Sequence, residues 1–178
     1  MRTGNVALCA LLLLPAPASA HRLDEYLQAA ILDFGKDSLT LELRLTPGTS
    51  VAARVIRGID TDRNNSFSQA ERDAYAARVQ SDLTLTIDGA PRTLRLMRAA
   101  FPPLAGLRGG TDGILLAFTT PLPQGARTLT LENRHLPALS VYLANSLVPR
   151  DPQIRITGQS RNRTQSRYTV QWAAAAVK

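Results

Sequence analysis

Twelve residues carry the densest chemistry in this chain. Asp60 to Glu71 read D-T-D-R-N-N-S-F-S-Q-A-E. A hard cation such as calcium is held by six to eight oxygens, and one continuous loop can supply them at positions 1, 3, 5, 7, 9 and 12. Those positions are Asp60, Asp62, Asn64, Ser66, Ser68 and Glu71. Each is competent: Ser66 through its backbone carbonyl, Ser68 directly or through water, and Glu71 as the closing bidentate carboxylate. Phe67, at position 8, is apolar and is expected to point away from the ion into the protein.

This pattern resembles the calcium loop of the EF-hand family. One position departs from it. Glycine is usual at position 6, where the chain turns sharply, and here Asn65 stands there. Asparagine is among the few non-glycine residues that adopt positive φ with modest strain, so the turn remains accessible to it.

An EF-hand loop needs a helix on each side. From Ser50 to Ile59 the apolar residues Val51, Val55, Ile56 and Ile59 fall at helical spacing, with Thr49 or Ser50 able to cap the start. After the loop, the alanine-rich stretch Gln69 to Gln80 places Ala70, Ala74, Tyr75 and Val79 at the same spacing. The helix pair is expected at about 49–80. No second loop of this kind is evident, so Phe67 is expected to pack on the rest of the domain or on a second molecule.

Elsewhere the dominant period is two, the mark of half-buried strands. Leu39, Leu41, Leu43 and Leu45 alternate with polar residues, as do Leu83, Leu85 and Ile87. An Asp88-Gly89 turn then leads into Leu94 and Leu96. Further rows are Ile114-Leu116-Phe118, Leu129-Leu131, Ile154-Ile156 and Tyr168-Val170-Trp172, and Tyr26 to Phe34 reads as the first strand. Val141 to Val148 is almost continuously apolar, as a strand deep in a sandwich would be. Turn residues separate the runs at Gly35-Lys36-Asp37, Pro102-Pro103, Gly109-Gly110, Pro121 to Gly125 and Pro149 to Pro152. The expected fold is mainly β: an antiparallel β-sandwich of the Ig-like, Greek-key type, with roughly eight or nine strands and the helix pair inserted after the second.

The first twenty residues read as a secretory signal. Arg2 is the positive start, Val6 to Leu14 a short apolar core, and Ala18-Ser19-Ala20 a small-residue cleavage site. Cleavage after Ala20 leaves residues 21–178 as one domain, periplasmic or secreted. The single cysteine, Cys9, falls inside the signal, so the remainder can form no disulfide. No later apolar stretch is long enough for a transmembrane helix.

The chain is basic, with net charge +7 at pH 7, and almost all of the basic side chains are arginine. Those arginines are scattered along strands with few aromatics, and an exported protein meets little nucleic acid. Solvated strand faces explain the charge better than nucleic-acid binding. The cluster Arg155, Arg161, Arg163 and Arg167 reads as a polar hairpin surface, with an anionic envelope partner as the alternative.

Beyond the signal there are two histidines, His21 and His135. If cleavage follows Ala20, His21 becomes the N-terminal residue. Its α-amine and ring nitrogen, with His135 as a third nitrogen, would suit Cu²⁺ or Ni²⁺. The plainer reading is that His135 hydrogen-bonds in a loop between strands. No nucleophile motif surrounds these histidines and no phosphate cradle follows a strand, so an enzyme is not expected.

A second resemblance rests on His21-Arg22-Leu23-Asp24-Glu25-Tyr26-Leu27-Gln28, Glu132-Asn133-Arg134-His135-Leu136-Pro137 and Ser140-Val141-Tyr142-Leu143-Ala144-Asn145. With the calcium loop, these look like bacterial exported domains, some of which precede membrane segments similar to nickel permeases of the HupE/UreJ type. The resemblance implies a relative that handles or senses metal outside the inner membrane; it does not imply transport. Three functions stay open: a binding or accessory module braced by calcium, a copper- or nickel-handling accessory protein, and an envelope adhesion or assembly module working with another envelope or membrane protein.

Overall fold

The period-two runs fold into two five-stranded sheets. The computed structural model describes residues 24–174; the expected signal segment and His21 lie outside them. The first sheet contains β1 (Tyr26–Phe34), β2 (Ser38–Pro47), β5 (Arg95–Ala100), β6 (Ile114–Pro121) and β8 (Ser140–Ser146), in the order β5-β6-β2-β1-β8. The second contains β3 (Leu83–Ile87), β4 (Ala90–Arg92), β7 (Thr128–Asn133), β9 (Ile154–Arg161) and β10 (Arg167–Ala174), in the order β4-β3-β7-β10-β9. Three helices complete the described residues: α1 (Thr49–Arg57), α2 (Gln69–Ser81) and α3 (Leu104–Arg108).

Alternation sorts the side chains. Leu39, Leu41, Leu43 and Leu45 are all fully buried, and so are Ile114, Leu116 and Phe118 on the neighbouring strand. They join Leu85, Ile87, Leu129, Leu131 and Val170 of the second sheet in one apolar cluster. Phe34 and Trp172 meet across the two sheets with ring centroids 5.0 Å apart. Each such leucine contributes roughly 1.5–3 kcal/mol by leaving water, so the β2 row alone anchors the register of the first sheet.

Five local expectations change. Val141 to Val148 is not deep: β8 is an edge strand, only Tyr142 and Ala144 turn inward, and Leu143, Leu147 and Val148 are exposed. An apolar run marks burial only if the sheet supplies neighbours on both sides, and β8 has one. That neighbour is β1, and the pairing is parallel, with Tyr26 beside Ser140, although every other pair of adjacent strands is antiparallel. The Leu94-Leu96 run is also divided. Asp88 (φ 49°) and Gly89 (φ 80°) turn β3 into the short β4, and the chain then crosses to the first sheet as β5. Finally, the residue capping α1 is Gly48, with no side-chain cap from Thr49 or Ser50, and a short helix, α3, follows Pro102-Pro103 where only a turn was expected.

Candidate functional site

The oxygen-rich loop sits between α1 and α2, as the spacing predicts. Helix α1 buries Val51, Ala52, Val55 and Ile56 on one face. Helix α2 starts at a reciprocal cap: the Ser68 hydroxyl accepts from the Glu71 backbone N–H, and the Glu71 carboxylate accepts from the Ser68 backbone N–H. The cap therefore fixes the twelfth loop position by the same local geometry that begins the helix.

Three carboxylates converge. One oxygen each from Asp60, Asp62 and Glu71 lies within 4.8 Å of the others. Calcium–oxygen bonds are about 2.4 Å, so ligands on opposite sides of one ion stand about 4.8 Å apart. Asp60 and Glu71 are buried and Asp62 is exposed, giving a site with an inner and an outer side. Asn64, Ser66 and Ser68 line the exposed stretch of the same loop.

Backbone donors hold the loop around these groups. Asp60 accepts from the N–H groups of Asn64 and Asn65, both at 3.0 Å. Asp62 accepts from the Asn64 N–H at 3.1 Å and from its side-chain amide at 2.8 Å. The Asn64 amide oxygen accepts from the Ser66 N–H at 2.8 Å. Asn65 takes φ 62°, the left-handed conformation that glycine usually supplies at this position, and Arg63 takes φ 61°. The Arg108 guanidinium of α3 donates to the Asn65 side chain at 2.6 Å and ties the turn to the rest of the domain. Phe67 is buried within its own chain, edge-on to Phe101 at 6.0 Å.

Glu71 is strongly held as an anion. Its Oε1 accepts from the Thr61 N–H at 2.7 Å and hydroxyl at 3.0 Å, and its Oε2 from the Ser68 N–H at 3.0 Å and hydroxyl at 2.9 Å. The Ser68 backbone donor, followed by that of Thr61, lowers its pKa to about 2. A carboxylate oxygen has two lone pairs. An ion at this site must therefore share Glu71 with Thr61 and Ser68 or displace their hydroxyl groups.

Helix α2 continues into a buried polar chain. His135, in the connection from β7 to β8, is fully buried. Its Nδ1 lies 2.7 Å from Asp82, the residue capping the end of α2, and its Nε2 lies 3.0 Å from the Tyr75 hydroxyl. Tyr75 in turn meets the Tyr26 hydroxyl of β1 at 2.6 Å. A carboxylate only accepts, so Nδ1 carries the proton, Nε2 accepts from Tyr75, and Tyr75 accepts from Tyr26. Burial lowers the His135 pKa against the opposing pull of Asp82, pushes Tyr75 up to about 12, and raises Tyr26 well above the usual phenol value. The His135 carbonyl accepts from Gln28, Ser140 and Tyr142. Strand β1 thus does run beside this loop, as a shared site with His21 would require. Both ring nitrogens of His135 are already engaged, however, and metal ligation would displace one of these partners.

At the opposite end of β2, the turns around Lys36, Pro123 and Asp151 surround a cleft of about 300 Å³ beside Trp172. Its charged lining is Lys36, Asp37, Arg127 and Asp151. In the sequence its parts read only as connectors.

Fold and site together define a mainly β protein of two sheets carrying an acidic, oxygen-rich loop between two helices. The chain matches no protein-family model, no curated protein and no solved structure. Among the described residues, no helix is long and apolar enough to cross a membrane.

Proposed function

We propose that this chain is an exported calcium-binding protein. In this reading Asp60 to Glu71 is an EF-hand-type site, and the ion braces the α1–α2 pair on an Ig-like β-sandwich that serves as a binding or accessory module without enzymatic turnover. The observation that carries the proposal is the convergence of the Asp60, Asp62 and Glu71 oxygens within 4.8 Å, at loop positions 1, 3 and 12. All six donors are oxygens, which favours calcium over copper or nickel. Export rests on the signal pattern of Arg2, Val6 to Leu14 and Ala18 to Ala20.

Asp60 and Glu71 would bind from the buried side, with Asp62, Asn64, Ser66 and Ser68 closing the exposed side. Extracellular sites of this type have dissociation constants on the order of 0.1–1 mM. Such a site is filled wherever calcium is abundant, and it acts as a brace more than as a signal. The loop is tied through Arg108 and Phe67 to its own domain, a setting unlike that of sensor pairs that open a groove.

Calorimetry against Ca²⁺ tests the proposal. At calcium one hundred times the dissociation constant, stability rises by about 2.7 kcal/mol. For a domain of this size that moves the melting temperature by about 5–10 °C. Glu71→Gln should abolish both the binding heat and the calcium-dependent shift. A wild-type melting curve that ignores millimolar calcium would remove the ion from the function.

A further inference from the structure

The centre of the first sheet's outer face holds one pair of opposite charges flanked by apolar side chains, with Arg98 and Asn145 ending the Glu42 row on the two edge strands and Asp33, Thr40 and Thr46 toward the strand ends. Glu42 and Arg44 lie two residues apart on β2, the middle strand of five. Both point outward and are exposed. Among the described residues neither side chain makes an ion pair or a hydrogen bond within the chain. The registers place Leu115 and Ala29 on either side of Arg44, and Ala117 and Ile31 on either side of Glu42. Leu143, beside Ala29 on β8, extends this apolar surface and is 42% exposed.

We propose that this face is the contact surface of a homodimer. The occupant that fits it is a second copy of the same chain, because the pattern is complementary to itself. Consider a twofold axis lying in the face and crossing β2 at right angles through Leu43. It sets Glu42 of each copy over Arg44 of the other. The same rotation lays the Glu42 row over the Arg44 row, so that Ile31 meets Ala29 and Leu115 meets Ala117, a large side chain against a small one on each flank. A twofold axis running along β2 would instead put Glu42 over Glu42, and like charges repel. Charge and side-chain volume therefore select the same symmetry.

The match is closest at the centre. Sheets twist, and aligned sheets pack at about 30°, so the rows diverge toward the rim, where Leu27 falls near Asp33, Arg98 near Ala100 and Asn145 near Leu143. Five strands at about 4.8 Å and about 20 Å of strand length give a plan area of roughly 500 Å² per copy. The total of about 1,000 Å² is at the lower limit of a specific interface, so the dimer is weak, with a dissociation constant in the micromolar range or above.

Sedimentation velocity between about 1 µM and 1 mM tests this, a span that brackets weak specific interfaces. The wild type should pass from monomer to dimer. Glu42→Arg and Arg44→Glu each place like charges face to face and should each weaken association at least about tenfold. Two combinations should reverse that loss. The double exchange E42R/R44E restores both ion pairs with the charges inverted. An equimolar mixture of the two single variants forms a heterodimer in which every charge meets its opposite. Recovery in the mixture also shows that both single variants are folded. The proposal is overturned if the wild type stays monomeric to 1 mM, if the single variants dimerise as the wild type does, or if neither combination recovers association.

Discussion

Glu71 ends the oxygen-rich loop and begins helix α2, and its ionisation state follows from that double position. Its carboxylate accepts from Ser68 and Thr61, which hold its pKa at about 2 against an ordinary value of 4.5. A lowered folded-state pKa means that the unfolded chain binds the proton more readily. The stabilisation is thus complete above about pH 4.5 and is lost as the pH falls toward 2. In calcium-free buffer, urea melts across this window should show the decline. Glu71→Gln should flatten that part of the profile; a variant that retains the wild-type slope would assign the acid limb to other carboxylates. The convergence of Asp60, Asp62 and Glu71 was legible in the sequence, because one loop is a local pattern. So was the positive φ of Asn65. The sharing of Glu71 with Thr61 was not, and neither was the bond from Arg108 to Asn65. The first depends on loop conformation, and the second joins residues 43 apart in sequence.

Helix α2 is the element that joins the loop to the sheets. Tyr75 follows Glu71 by one turn, and Asp82 caps the end of the helix; both reach His135, which also touches β1 through Gln28. The alanine-rich stretch announced the helix, but its anchors are polar and escape any apolar period. The plainer sequence reading of His135, a hydrogen-bonding residue in a loop between strands, agrees with its place here, but its partners Asp82 and Tyr75 lie 53 and 60 residues away and no local pattern names them. The order of the hydrogen bonds sets the order of two mutational effects. Tyr26→Phe removes one donor and leaves Tyr75 bonded to His135, costing about 1 kcal/mol. Tyr75→Phe strands two buried groups, the Tyr26 hydroxyl and His135 Nε2, and should cost about 2–4 kcal/mol. Urea unfolding of the two variants compares them directly. Equal losses would mean that the chain does not run through Tyr75.

On the scale of the whole molecule, the period-two rows gave the class of the fold, and the sandwich reading followed from them. They could not give the strand order, since alternation says which face is buried and nothing about which strand lies alongside. The parallel β1–β8 pair and the edge position of β8 are consequences of topology, invisible to any window of ten residues. That edge presents unpaired backbone groups, which invite another strand. Arg161 of β9 covers part of it: its Nε and Nη2 donate to the Ala144 carbonyl of β8 at 3.0 and 2.6 Å, while its guanidinium lies over the Tyr168 ring at 4.8 Å. One arginine thus joins the edges of both sheets, where the sequence offered a polar hairpin surface or an anionic partner's site. Arg161→Ala should lower stability by about 1 kcal/mol, a modest figure because the side chain is exposed. It should also raise light scattering at high concentration as the β8 edge opens. Lysine keeps the charge but cannot place two donors on one carbonyl, so Arg161→Lys should recover only part of the loss. Full recovery with lysine would show that charge, and not the two-donor geometry, protects the edge.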